Sequence, residues 1–178
     1  MSPKLKLAFK IVSNTLVAIV LLLAILLHGF QLFGFTPLSV LSGSMESVYP
    51  TGSLIYIRDV DPKTLEVGDT VTFKLGNGSL ATHRIIELVP DESDPNTFHF
   101  RTKGDENDVA DGFLVTYDGV VGKPIFCIPL LGYISVYISH PPGKYIALTA
   151  AVALILIEIM TSILLDDKDK KKTNTEQN

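Results

Sequence analysis

Two long apolar segments enclose a central region whose hydrophobic pattern is shorter and alternating. Residues 11–34 contain no Asp, Glu, Lys or Arg, and residues 145–165 hold a single charged residue, Glu158. Each segment reaches the roughly 20 apolar residues that a helix needs to cross a bilayer. The pattern therefore predicts a transmembrane anchor at 11–34 and a second transmembrane helix at 144–165.

A cleaved secretory signal is the alternative interpretation of the first segment, because three lysines precede an apolar run there. The run is longer than the core of a typical secretory signal, and no A-x-A-like cleavage pattern closes it. The length and the missing cleavage pattern together favour a retained anchor.

Lysines cluster on the outer side of both apolar segments, with three in residues 1–10 and four in residues 166–178. The positive-inside rule then places both ends in the cytoplasm, the second as a polar tail. Residues 35–143 are therefore expected to lie on the extracytoplasmic side. Glu158 falls inside the second segment, where an ionised carboxylate costs several kcal/mol. We expect it to be protonated or to face Ser13, Asn14 or Thr15, in preference to contacting a partner subunit or the substrate helix.

The central region alternates with a period of two, which is typical of strands with one buried face. Turn-forming residues separate the runs, and Gly76-Asn77-Gly78 between two of them predicts a hairpin. No helical pattern longer than two turns is evident there. The fold class is therefore mainly β, a small antiparallel sheet or barrel flanked by two transmembrane helices. The predicted strands cover residues 53–58, 69–74, 80–89, 97–103 and 113–128.

Composition narrows the possible functions. The chain is 47% hydrophobic, which excludes disorder for most of its length, and its net charge of −4 argues against a nucleic-acid partner. A single cysteine, Cys127, excludes an internal disulfide and a multi-cysteine zinc site. His83 and His99 lack metal-ligand spacing relative to it, so we predict no metal and no cofactor.

Candidate chemistry is concentrated in the central region. A serine needs a base to act as a nucleophile, and the base needs a third group to orient it. Ser42-Gly43-Ser44 follows the first apolar segment, His83 lies in a predicted strand, and residues 102–111 form an Asp-rich loop. His99 and His140 are the other histidines of this region. Spacing alone leads no further than a candidate Ser/His/Asp site, and each of these residues is also compatible with a structural role.

Five short motifs occur in a characteristic order over about residues 38–132, and the series resembles type I signal peptidases. The resemblance is to the Ser–His branch typical of the endoplasmic reticulum, archaea and some Gram-positive bacteria. It implies a membrane-bound serine endopeptidase that removes signal peptides from exported pre-proteins, at a prokaryotic plasma membrane in preference to the reticulum. The motifs are Ser42-Gly43-Ser44-Met45-Glu46, Thr51-Gly52-Ser53, Val67-Gly68-Asp69, His83-Arg84-Ile85 and Lys103-Gly104-Asp105.

The resemblance also assigns roles to individual residues. Ser44 is expected to be the nucleophile and His83 its general base, with the Ser44 N–H and the Ser42 hydroxyl as oxyanion donors. Asp111 matches the catalytic acid of that branch. Asp105 is the second candidate acid, expected chiefly to cap its own turn through local backbone N–H groups.

Substrate binding and partners follow from the same resemblance. Gly43 and Met45 are expected at the substrate, which would bind as an extended strand with small side chains on either side of the cut. The implied partners are secretory pre-proteins, the lipid bilayer and the translocation machinery. The family usually has proline at position 47, where this chain has Ser47. The loss of the proline is expected to loosen the turn. A non-catalytic, membrane-anchored β module that binds pre-proteins is the alternative.

Overall fold

The computed structural model describes residues 3–91, 94 and 97–176, with side chains described from residue 7 to residue 161 of that range. The chain divides into two units. One unit comprises residues 1–26 and 137–178, and the other comprises residues 27–136.

The first unit is helical. Helix α1 (Pro3–His28) leads into a short 3-10 turn, and helix α3 (Gly143–Glu176) is the last element of the chain. Leu7–Phe33 and Gly143–Thr161 are long and apolar enough to cross a membrane. Most of their large apolar side chains are exposed, as expected of helices that face lipid rather than a protein core. The prediction of two helices of membrane-spanning length is confirmed. Helix α3 continues beyond residue 165, so the helix extends past the predicted end of the second span.

A polar contact joins the two helices of this unit. The Ser13 hydroxyl donates a hydrogen bond to the Glu158 carboxyl group. Hydrogen bonds of this kind hold helices together in a bilayer, where a polar group without a partner is costly. Of the two interpretations of Glu158, the structure supports the one in which it faces the first helix near Ser13.

The second unit is a curled, seven-stranded sheet in which every paired neighbour is antiparallel. The predicted fold class is therefore confirmed. The strand order across the sheet is β1-β2-β7-β3-β4-β5-β6. The strands are β1 (Phe35–Ser39), β2 (Leu54–Arg58), β3 (Thr70–Lys74), β4 (Leu80–Pro90), β5 (Phe98–Lys103), β6 (Leu114–Val115) and β7 (Val120–Ile128).

Strands β2 to β5 lie where the alternating runs predict them, whereas the predicted run 113–128 is interrupted. A 3-10 turn at Tyr117–Gly119 separates β6 from β7. Strand β1 is not among the predicted strands. It contains Pro37, which cannot donate a ladder hydrogen bond, and it pairs with β2 alone. An edge position accommodates this proline.

The expectation of no helix longer than two turns in the central region is wrong. Helix α2 (Leu131–Ser139) has nine residues, at the end of the predicted β domain 35–143. Its sequence is apolar on most sides, so no clean 3.6-residue alternation marks it. An ideal Cβ at Gly132 would lie 2.2 Å from the Ser53 carbonyl oxygen, which explains why the second residue of this helix is a glycine.

Two buried clusters lie in the sheet unit, and strand β3 is buried along most of its length. Burial of such side chains contributes about 1.5–3 kcal/mol each. The first cluster contains Leu65, Val71, Phe73, Ile85, Phe100 and Val115. The second contains Met45, Tyr49, Ile55 and Ile57.

Strand β7 links the two halves of the sheet, and Gly122 marks the point where it changes partner. Gly122 pairs with Thr72 of β3, and the next residue, Lys123, pairs with Arg58 of β2. The backbone of Gly122 has a positive φ of 150°. An ideal Cβ at this position would lie 2.2 Å from the Arg58 carbonyl oxygen. Only glycine lets the two strands approach this closely.

We predict that Gly122→Ala destabilises the sheet unit by about 3 kcal/mol or more, because it adds a backbone clash to the strain of positive φ. Gly78→Ala is the matched control, since Gly78 also has positive φ but open space around it. That variant should cost about 1 kcal/mol. Urea unfolding of the detergent-solubilised chain measures both. Equal destabilisation by the two substitutions would contradict the assigned clash.

Candidate active site

Three separate segments of the sheet unit supply the candidate catalytic side chains. Ser44 lies in a turn after β1, His83 lies within β4, and Asp111 lies in the loop after β5. At His83 the backbone of β4 pairs with Val71 of β3, and from Arg84 onward it also pairs with β5. The histidine is therefore the rigid member around which the two loops are arranged.

The three side chains form a continuous line of hydrogen bonds. His83 Nε2 lies 3.1 Å from Ser44 Oγ, and His83 Nδ1 lies 2.7 Å from Asp111 Oδ2. An ionised carboxylate can only accept, so Nδ1 carries a proton and donates it. In the neutral ring Nε2 is then left as an acceptor for the Ser44 hydroxyl. The His83 and Asp111 side chains are only 13% and 11% exposed, which shields their interaction from water.

The loop that carries Asp111 docks directly on the turn that carries Ser44. The Glu106 N–H donates to the Ser44 carbonyl oxygen at 3.0 Å, and the Asp105 N–H donates to Met45 Sδ at 3.2 Å. Gly104 permits this approach, because an ideal Cβ there would lie 2.6 Å from the Ser44 carbonyl oxygen. The serine and the acid are thus fixed relative to each other by main-chain contacts.

The turn around Ser44 is closed by its own hydrogen bonds. The Met45 carbonyl oxygen accepts from the N–H groups of Val48 and Tyr49, at 3.0 and 2.7 Å. The Glu46 carboxylate accepts from the Thr51 hydroxyl and N–H, and these bonds lower the pKa of Glu46. These contacts hold the turn in the absence of the proline that the family resemblance leads one to expect at position 47.

Ser42, Gly43 and Met45 occupy different positions around the serine. The Ser42 hydroxyl oxygen lies 3.4 Å from Ser44 Oγ, on the exposed surface. Gly43 is also exposed, whereas Met45 is 2% exposed and belongs to the second core cluster. A groove of about 550 Å³ runs beside Ser44 and His83, and residues 38–42 and 79–83 line much of it.

Asp105 is placed away from the line of hydrogen bonds. Its carboxylate accepts two bonds from the Arg84 guanidinium, at 2.8 and 2.6 Å, rather than capping local backbone N–H groups. Arg84 also donates to the Gly68 carbonyl oxygen at 2.7 Å. The bonds from Arg84 lower the pKa of Asp105 and raise that of Arg84. Arg84 therefore ties together three of the motifs that the sequence shows.

The remaining histidine of the sheet is engaged elsewhere. His99 Nε2 lies 3.0 Å from Asp91 Oδ2, at the far end of the β4–β5 hairpin. Among the described residues, no group of three His, Cys, Asp or Glu side chains is arranged to hold a metal ion.

The sequence alone assigns no role to two residues of this site, Thr102 and Arg84, although Arg84 belongs to the His83-Arg84-Ile85 motif. The Thr102 hydroxyl donates to Asp111 Oδ2 at 2.6 Å. Each flanks a motif residue, Thr102 before Lys103-Gly104-Asp105 and Arg84 after His83. A buried polar side chain such as Thr102 needs a hydrogen-bond partner, but its burial is not evident in a strand that also carries His99, Arg101 and Lys103.

Asp105→Asn should lower the free energy of unfolding by about 1–2 kcal/mol at pH 7, between the values for an exposed ion pair and for a buried charged hydrogen bond. The folded-state pKa of Asp105 is depressed, so its contribution is present above the unfolded pKa and is lost as pH falls through the folded one. The difference from wild type should therefore be constant above about pH 5 and shrink below about pH 4.

Urea unfolding at a series of pH values measures that difference. Asp108→Asn is the matched control, since Asp108 is exposed in the same loop and an exposed carboxylate contributes little to stability. A loss for Asp105→Asn that persists unchanged at pH 3 would contradict the assigned ion pair.

The sequence of the chain is similar to the sequences of several known proteins. No family model matches. The chain is 37% identical over 123 residues to signal peptidase I W of Bacillus subtilis, covering 62% of this chain and 63% of that protein. It is 30% identical over 128 residues to the Homo sapiens signal peptidase complex catalytic subunit SEC11C, covering 67% of this chain and 66% of that protein.

A third relative is covered more fully. The chain is 30% identical over 129 residues to the signal peptidase complex catalytic subunit SEC11 of Colletotrichum graminicola, covering 66% of this chain and 72% of that protein. The chain spans just under two thirds of the length of the first two relatives. These matches confirm the resemblance indicated by the motifs, and the chain belongs to the type I signal peptidase family, with signal peptidase I W and the SEC11 catalytic subunits.

Proposed function

We propose that this chain is a membrane-bound serine endopeptidase that removes N-terminal signal peptides from exported pre-proteins. The observation that carries the proposal is the line of hydrogen bonds from Ser44 through His83 to Asp111, at 3.1 and 2.7 Å. A nucleophile, a base within hydrogen-bond distance and a group that orients the base are the parts that acyl transfer requires. Membership of the signal peptidase family supplies the substrate class.

In the proposed acylation step, Ser44 Oγ attacks the scissile carbonyl carbon while its proton passes to His83 Nε2. The imidazolium that forms is stabilised by the Asp111 carboxylate on Nδ1. His83 then gives the proton to the leaving amine, the C–N bond breaks, and the mature protein departs. Water attacks the acyl ester on Ser44 by the same proton route, which releases the signal peptide and restores the serine.

The negative charge that develops on the oxygen of the tetrahedral intermediate needs hydrogen-bond donors that are already in position. The Ser44 N–H and the Ser42 hydroxyl are the proposed oxyanion donors, since Ser42 Oγ lies 3.4 Å from Ser44 Oγ. Loss of one such donor costs about 2.7–4 kcal/mol in a related type of site. Gly43 lies between the two serines, and an ideal Cβ there would lie 3.5 Å from the Glu46 carboxylate, so its proposed contact with the substrate is through its backbone.

Substrate is proposed to bind in extended form along the groove beside Ser44. Residues 38–42 and 79–83 line it, and both stretches include strand backbone that can pair with an added chain. Met45 and other apolar side chains border the groove, which suits small apolar residues of the A-x-A type before the cut. Asp105, paired with Arg84, is proposed to hold the loop that carries Asp111 rather than to contact the substrate.

The proposed setting is a prokaryotic plasma membrane, with both chain ends in the cytoplasm and residues 35–143 outside. Lysines beyond both apolar segments support this orientation. The lipid bilayer and the translocation machinery are the proposed partners, because a signal peptide reaches this side of the membrane only after translocation.

A non-catalytic module that binds pre-proteins is the second candidate. Ser47 in place of the family's proline is the sequence feature that favours it, whereas the turn around Ser44 is closed by its own hydrogen bonds. The test is turnover of a reporter pre-protein by the purified chain in detergent. Many moles of mature product per mole of chain, cut after an A-x-A-like site, support the peptidase. Stoichiometric binding without a cut would establish the module instead.

Substitutions of His83 and Asp111 should abolish or greatly reduce cleavage without unfolding the sheet. His83→Ala removes the base, and His83→Lys supplies an amine that is ordinarily protonated at pH 7. Asp111→Asn should lower the cleavage rate about 10⁴-fold because it sets the wrong imidazole tautomer. Initial rates of reporter cleavage by the purified variants measure these effects.

Asp105→Asn serves as the comparison, because the Asp105 carboxylate lies nearby but is bonded to Arg84 and not to the His83 imidazole. The main effect of Asp105→Asn should be a lower free energy of unfolding. Cleavage should slow only to the extent that the loop carrying Asp111 becomes looser. An inactive but fully stable Asp105→Asn chain together with an active Asp111→Asn chain would show that the two roles are reversed.

The topology is tested by adding protease to intact cells. A tag placed after residue 178 should be protected, while sites within residues 35–143 should be cut. Permeabilised cells provide the control in which the tag is also lost. A tag that is digested in intact cells would contradict the two-span orientation.

A further inference from the structure

Thr102 is a buried polar residue that the reaction described above does not use. It lies on β5 and is 0% exposed, and its hydroxyl oxygen lies 2.6 Å from Asp111 Oδ2. Burying a hydroxyl costs free energy unless it forms a hydrogen bond. Since an ionised carboxylate only accepts, the Thr102 hydroxyl is the donor.

The hydroxyl bonds to the same carboxylate oxygen that the histidine uses. Asp111 Oδ2 accepts from Thr102 Oγ1 and from His83 Nδ1, at 2.6 and 2.7 Å. The Asp111 N–H also donates to the Thr102 carbonyl oxygen at 2.8 Å. Thr102 therefore holds both the main chain and the side chain of Asp111, which leaves the carboxylate little freedom to rotate away from the imidazole.

The register of two strands explains why a threonine of β5 reaches this point. Thr102 pairs with Ile85 of β4, and directly opposed residues in an antiparallel pair share a face of the sheet. His83 lies two residues before Ile85 and so points to that same face. The hydroxyl is thus supplied by the sheet itself, whereas Asp111 comes from a loop.

We propose that Thr102 is a positioning residue of the peptidase reaction, which holds the Asp111 carboxylate on His83 Nδ1. The inference rests on the proposed function for its effect on cleavage. Thr102 acts through Asp111, whose interaction with His83 strengthens when the imidazole becomes charged. Its loss should therefore reduce kcat and leave KM nearly unchanged.

Two matched pairs of variants isolate the hydroxyl. Thr102→Val replaces the hydroxyl of the wild type by a methyl group of similar size, and Thr102→Ala differs from Thr102→Ser by the hydroxyl alone. The variant without the hydroxyl should have about 10- to 100-fold lower kcat in each pair, the range for one hydrogen bond to a charged group. Thr102→Ser should remain close to the wild type. If Thr102→Val does not fold, the Ser and Ala pair answers the same question.

A second comparison separates positioning from general stability. In chains that already carry Asp111→Ala, Thr102→Val should cause no further loss of kcat, because the group that it positions is gone. If Thr102 only stabilised the fold, Thr102→Val would lower kcat by the same factor in both backgrounds.

A third measurement does not depend on cleavage. In chain labelled with ¹⁵N-histidine, the His83 Nδ1–H should give a resolved downfield resonance that is absent from Asp111→Ala. Thr102→Val should broaden or shift it, and Thr102→Ser should retain it. If the Thr102 variants change this resonance as expected but the wild type never cuts a pre-protein, the proposed function fails while the role of Thr102 in holding Asp111 on His83 stands.

Three results would overturn the positioning role. They are an unchanged kcat and resonance in Thr102→Val, an equal loss in Thr102→Ser and Thr102→Ala, or an undiminished effect of Thr102→Val in the Asp111→Ala background.

Discussion

The Asp111 carboxylate is the point at which three distant parts of the chain are held together. Its Oδ2 oxygen accepts from His83 of β4 and from Thr102 of β5, and its loop docks on the turn of Ser44 through the Glu106 N–H. A buried carboxylate that lost these donors would carry an unpaired charge, which costs several kcal/mol. The same contacts that satisfy Asp111 therefore also set the position of the serine and the histidine.

The sheet makes this arrangement possible by bringing backbones unusually close at two glycines. Gly104 allows the acid loop to lie on the Ser44 carbonyl, and Gly122 allows β7 to pass from β3 to β2. Arg84 adds a charged link from β4 to that loop through Asp105. Because β4 carries both His83 and Arg84, one strand holds the loop of Asp105 and Asp111 by two neighbouring side chains.

Runs rich in β-branched and aromatic residues between turn formers predict β2 to β5, but no such run predicts β1 or α2. Strand β1 contains Pro37, a residue that argues against a strand, so this edge strand is not evident from the sequence. Helix α2 is too uniformly apolar to show a helical period. Ser44, His83 and Asp111 follow from the family resemblance, since their spacing alone leaves other roles open. The bond between Thr102 and Asp111 depends on the β4–β5 register and the return of a loop, which no local pattern specifies.

Replacement of individual serines in the nucleophile turn tests the central claim most directly. Ser44→Ala should reduce cleavage of a reporter pre-protein to background in the same membrane preparation in which the wild type is active. Ser47→Ala, an exposed serine three residues later, should cleave at the wild-type rate. Both variants should be present at equal levels and unfold at similar urea concentrations. Cleavage by Ser44→Ala at the rate of the Ser47→Ala control would contradict the assignment of Ser44 as the nucleophile.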